Sequence, residues 1–291
     1  MSTTTVQING VSPIFRCDDV VDANGSDIST DKVRAFLEDA DRGDHNHVIL
    51  VSSAMVYGAW ENNPSPLSED DVVRPVPSFT FAVSCLTAEA LVEQWRTLRP
   101  GRTATVLRPA PVVVPRGNSR LVLALAHAVS SESVGSVMSA QFLHFDDLES
   151  AIALAQMVKP DGVFNVAPDG AISGERLGEL AAQPLQVKLP SWARDIVDVM
   201  RWRLQRGPIP PGLRQYTRHS WVVSNEKLRA LGWSARVSNE EAYVEGTTGS
   251  WVSTLSAKRR QELSLGAMSV TALAVIASIF AAVRRVRRAR H

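Results

Sequence analysis

Read for the spacing of apolar and polar positions, the chain alternates short apolar runs with amphipathic stretches. His47-Val48-Ile49-Leu50-Val51 is a continuous β-branched and apolar run bounded by polar residues, as expected of a strand buried on both faces of a parallel sheet. Ahead of it, Ser29-Thr30-Asp31 opens a helix reaching about Ala40, with Val33, Phe36 and Leu37 at i, i+3 and i+4. After it, a loop rich in Pro, Asn and acids runs from Trp60 to Pro77, followed by a helix over about Phe79 to Leu98. Thr103 to Leu107 reads as a second buried strand that Arg108-Pro109 stops. Asp146 to Met157 reads as a helix and Val163 to Val166 as a third strand.

That order predicts βαβ units and a sheet with helices on both faces. No repeat of fixed period interrupts it. From Gly174 onward helical segments dominate, broken by the extended run Gly207-Pro208-Ile209-Pro210-Pro211-Gly212.

Composition changes this picture in one place. The 291 residues are 45% hydrophobic and 21% charged, which excludes disorder as the main state, and the formal net charge is only +1. That balance argues against nucleic acid as a partner. Yet residues 258–291 hold eight Lys and Arg against the single acid Glu262, a local +7, leaving −6 for the other 257. The basic residues bracket Leu263 to Val283, 21 residues without a charge. At about 1.5 Å per residue such a helix is long enough for a hydrocarbon core of about 30 Å. A membrane-associated helix is therefore expected, with lipid as partner through 263–283 and the basic flanks. Met1 to Asn9 lacks a basic leader and an apolar block, so the body is expected on the cytoplasmic side, as a tail-anchored protein. The five arginines beyond the helix pull against that orientation.

The string Ser52-Ser53-Ala54-Met55-Val56-Tyr57-Gly58 resembles the extended short-chain dehydrogenase/reductase family, the NAD-dependent epimerase/dehydratase group. Four later segments agree with it in order: Leu107-Arg108-Pro109-Ala110, Phe142-Leu143-His144-Phe145-Asp146-Asp147, Gly162-Val163-Phe164-Asn165-Val166-Ala167 and Leu231-Gly232-Trp233. The resemblance implies an α/β fold: an incomplete Rossmann-like parallel sheet (1–115), a smaller α/β substrate domain (116–257) and the C-terminal hydrophobic helix (258–291). It implies NAD or NADP as cofactor and a small-molecule ligand of the nucleotide-sugar or lipid-like kind.

The family's catalysts pair a serine with a tyrosine acid/base and a lysine four residues later that lowers the tyrosine pKa. Ser53 matches the serine, but Phe81 and Cys85 stand where the tyrosine and lysine belong. Phenylalanine has no proton to give, and cysteine carries no cation. Of the other tyrosines, Tyr57 lies inside the string while Tyr216 and Tyr243 are far downstream, and no lysine occurs between Lys32 and Lys159. A repositioned Tyr57 is the substitute that sequence allows. No glycine-rich dinucleotide turn precedes His47. Val20 to Gly25 most resembles the fourth strand and its exit, so the first βαβ unit is expected to be missing, leaving Asn24 and Pro109 as cofactor-flanking positions.

Without its partners Ser53 reads equally as a strand-end serine satisfying a local backbone group. Cys17 and Cys85 have neither disulfide nor zinc spacing. His45 and His47 lack a third ligand, and Asp146-Asp147 read as carboxylates capping the next helix. Trp192, Trp202 and Trp221 interleave with Arg194, Arg201, Arg203, Arg206, Arg214 and Arg218, a pattern able to hold a nucleotide or a phospholipid headgroup but equally a solvated face over core tryptophans.

Overall fold

The computed structural model describes residues 11–17, 30–114, 125, 139–180 and 212–247. Four parallel strands form its centre: β1 (Ile14–Arg16), β2 (His47–Val51), β3 (Thr103–Pro109) and, after the short β4 (Val112–Val113), β5 (Ser139–Ala140) and β6 (Leu143–His144), strand β7 (Gly162–Val166). Their order is β1-β2-β3-β7, with Val51 beside Leu107 and Leu107 beside Phe164. Every residue of β2 is buried, because helices cover both faces of a parallel sheet and leave no solvent side for polar residues to alternate toward.

Helices α1 (Thr30–Arg42) and α2 (Thr80–Leu98) pack against each other on one face. In α1 the buried Val33, Leu37 and Ala40 recur at helical spacing, and the ring of Phe36 meets Phe15 at 5.4 Å. In α2 the buried stripe is Ala82, Cys85, Ala88, Glu89, Val92 and Trp95. Helix α3 (Phe145–Val158) covers the other face, over β2 and β3. Farther on come β8 (Ile172–Ser173), α4 (Gly174–Leu180), a 3-10 turn (Leu213–Thr217), α5 (Glu226–Arg229) and α6 (Asn239–Thr247). Leu67 and Val223 form a parallel bridge, closed by Leu67 N–H to Val222 O (2.7 Å) and Ser224 N–H to Leu67 O (2.7 Å).

The fold is thus α/β with a parallel sheet, and three details differ from the sequence reading. Strand β3 runs through Arg108-Pro109 instead of stopping before them. Leu107 O faces β2, where it accepts from Ser52 N–H, and Ala110 N–H faces β7, where it reaches Val166 O. By alternation the missing N–H of Pro109 points to the β2 side, where β2 has already ended at Val51, so the proline costs no ladder bond. Secondly, the imidazole of His144 caps α3 by accepting from Asp146 N–H at 3.2 Å, not the carboxylates that follow it. Asp147 instead accepts from Arg236 N–H (2.9 Å) and Val237 N–H (3.0 Å), fastening the turn after Leu231-Gly232-Trp233 to the helix. Thirdly, β1 is a strand that the apolar pattern does not single out.

Val20 to Gly25, with Asn24, lie outside the described residues, as do most of the Trp- and Arg-rich stretch and the whole of 258–291. Among the described residues no helix is long and apolar enough to cross a membrane.

Candidate functional site

The carboxyl ends of β2, β3 and β7 meet at one buried polar network. Ser52, the first residue beyond β2, donates its hydroxyl to Glu89 Oε1 at 2.5 Å. Glu89, on the buried stripe of α2, receives Arg108 through two bonds, Nε to Oε1 (3.1 Å) and Nη2 to Oε2 (2.7 Å). The remaining arm of Arg108 donates to the Tyr57 hydroxyl at 2.8 Å, and Tyr57 donates in turn to Asn165 Oδ1 on β7 at 3.0 Å. The side chains of Arg108 and Glu89 are 7% and 9% exposed, so this ion pair is effectively desolvated. Burial alone would lower the Arg108 pKa, but the Glu89 carboxylate outweighs it and holds the guanidinium charged.

Tyr57 therefore has the cation beside it that no lysine supplies. Its hydroxyl pKa is nevertheless raised, because burial outweighs the opposing pull of Arg108. The side chain is fully buried, with its proton directed at Asn165.

Ser53 is the cap of the 3-10 turn Ala54–Tyr57. Its backbone is extended and its Oγ accepts from Met55 N–H at 3.2 Å. Gly58 ends the turn at φ 69°, and a Cβ there would lie 2.2 Å from Arg74 O. Phe81, in the first turn of α2, is half-buried with its ring 5.7 Å from Phe79, and Cys85 one turn later is fully buried.

One turn away in space, but far along the chain, stands Tyr216. Its hydroxyl donates to Met55 O at 2.6 Å, and its ring packs edge-on against Phe79 at 5.4 Å and Trp221 at 5.4 Å. Burial pushes its pKa up, opposed by a hydrogen bond at Val76 and reinforced by nearby Cys85. The structure thus brings Tyr216 between the Ser53 turn and the Phe79–Cys85 segment, a placement that no spacing in the sequence announces. It is wholly buried, like Tyr57.

The serine turn, the helix carrying positions 81 and 85, and the strand ends of β3 and β7 thus stand together. Residues 27–168 match the NAD dependent epimerase/dehydratase family. The resemblance that begins at Ser52 holds over this segment.

Solved structures agree in fold. The Thermus thermophilus UDP-glucose 4-epimerase complex with NAD superimposes with a TM-score of 0.52 at 19% identity, over 74% of this chain and 67% of that one. The Thermotoga maritima UDP-glucose 4-epimerase with UDP-glucose gives 0.52 at 20%, over 77% and 69%. The Bacillus anthracis dTDP-glucose 4,6-dehydratase in complex with NAD gives 0.52 at 14%, over 74% and 64%. In sequence, an uncharacterized protein of Mycobacterium tuberculosis is 25% identical over 197 residues, 67% of this chain and 52% of its own length, and one of Mycobacterium bovis matches equally. The chain spans about half the length of these curated relatives.

A dinucleotide needs a bare glycine turn leading into a helix at the carboxyl edge of the sheet. Gly58, at the end of the turn that follows β2, has its free side closed by Arg74 O and the Trp60 indole. Pro109 is buried at the end of β3 beside Val166, while Asn24 is outside the described residues. Nor do the described residues contain a group of three or more metal-ligating side chains. His47 sits at the opposite, amino end of the sheet between the hydroxyls of Thr103 (2.8 Å) and Thr105 (3.2 Å), held neutral by burial and by Lys159, with its pKa lowered to about 4.

Proposed function

We propose that this chain is a family member that no longer transfers hydride and acts as a binding or scaffold module, anchored to a membrane by 263–283 and its basic flanks with the body in the cytoplasm. The observation that carries the reading is the pair Phe81 and Cys85 on α2, combined with Tyr216 packed beside them as a core residue. Hydride transfer to or from a carbinol needs a group that gives or takes the hydroxyl proton. Neither Phe81 nor Cys85 can act as the family's tyrosine–lysine pair, and Tyr57 and Tyr216 direct their hydroxyls at Asn165 and Met55 O.

The related structures solved with NAD and UDP-glucose support a nucleotide-sugar-like small molecule as ligand class. A second reading, an active NAD(P)-dependent oxidoreductase or epimerase on a nucleotide-sugar or lipid- or steroid-like substrate, is favoured by the 2.8 Å contact between Arg108 and the Tyr57 hydroxyl. A cation beside the hydroxyl is what a rearranged site would need.

The two readings separate in one set of measurements on the full chain. Thermal unfolding with and without NAD(H), NADP(H), UDP-glucose and dTDP-glucose reports binding. Absorbance at the reduced-nicotinamide band and sugar epimer analysis report turnover. The non-catalytic reading expects none, and expects Phe81→Tyr, at a half-buried position, to fold and remain without turnover. Turnover by the wild-type chain overturns it. Flotation with anionic liposomes, lost on deletion of 258–291, is the expected result for the anchor; flotation that survives the deletion, or no flotation of the full chain, refutes it.

A further inference from the structure

We draw no further inference here: the strongest candidate, the segment 212–225 that ties the turn after β2 and the start of α2 through Tyr216 and the loop after β7 through Asn225, belongs to the site already described, where its contacts are those of a packed core.

Discussion

Within its network Glu89 is expected to be the most costly residue to lose, more costly than the arginine it holds. Replacing it with methionine, of similar volume, removes both acceptors of Arg108 and the acceptor of the Ser52 hydroxyl. Arginine does not give up its proton, so a charge stays in a site 7% exposed with only the neutral Tyr57 hydroxyl against it. Breaking a buried pair from one side costs about 3–5 kcal/mol, and the stranded serine adds about 1 kcal/mol. Arg108→Met is expected to cost less, because a carboxyl left alone can take up a proton and become neutral. Glu89→Met with Arg108→Met removes both charges and is expected to recover to within about 2 kcal/mol of the wild type. Urea unfolding followed by circular dichroism gives all four corners of the cycle, with unchanged slopes showing that the same transition is compared. The surface pair Arg96–Glu93 is the control, with a coupling near zero. A Glu89→Met cost below about 1 kcal/mol, or one equal to that of Arg108→Met, would refute the claim that the pair is desolvated and asymmetric.

Three other outcomes follow from single contacts. His47 is neutral in the fold down to about pH 4 but protonates near 6.5 when unfolded, so above 6.5 it contributes no pH dependence, and stability falls as pH drops from 6.5 toward 4; His47→Gln should flatten that part of the stability–pH curve by on the order of 2 kcal/mol, and an unchanged slope rejects the assignment. Gly58→Ala places a Cβ 2.2 Å from Arg74 O on a backbone at φ 69°, with an expected cost above about 3 kcal/mol in denaturant melts; a loss under about 1 kcal/mol would mean the Gly58–Arg74 approach is not rigid. Tyr216→Phe keeps the ring and removes one of two donors to Met55 O, the Gly58 N–H remaining at 3.1 Å, for a loss of about 0.5–1.5 kcal/mol, and a neutral result would show that the hydroxyl is not what fixes this segment.

How far these features could be read from sequence depended on how local their cause is. Strands β2, β3 and β7 announced themselves because burial on both faces writes a continuous apolar run. Strand β1 did not, being three residues long, preceded by Pro13 and carrying Arg16. The stop placed at Arg108-Pro109 failed because a proline's effect depends on which side its missing donor faces, and that is set by where the neighbouring strand ends. In the site, the serine turn and positions 81 and 85 were legible as a motif. The network was not, since its five residues come from four separate segments, Ser52 and Tyr57 on one and Glu89, Arg108 and Asn165 each on another. One signal was nonetheless available: Glu89 lies four residues after Cys85 and shares a stripe with Ala82, Ala88 and Val92, and an acid on a buried stripe implies a buried partner. For Tyr216 no comparable signal exists, because its contacts are with Met55, Phe79 and Trp221, of which only the last is near in sequence.

The network also explains how a fold can keep its frame while the reading proposed for its chemistry changes. Through Ser52, Arg108, Asn165 and Glu89 it ties the ends of β2, β3 and β7 to helix α2, and every one of those bonds is made without Phe81 or Cys85. The residues that hold the strand ends in register are therefore separable from positions 81 and 85, on which the proposed loss of chemistry rests. The same separation limits Tyr57. Arg108 lies close enough to stabilise a tyrosinate, but its charge is already matched by Glu89, and the Tyr57 proton is engaged with Asn165. Turning Tyr57 into an acid or base would require breaking the bond that ties it to β7, so the cost of gaining the chemistry would fall on the frame. Selection for stability alone would thus preserve Tyr57, Arg108 and Glu89 whether or not anything is turned over. Their presence is compatible with either reading, and the proposal that hydride transfer is lost rests on positions 81 and 85.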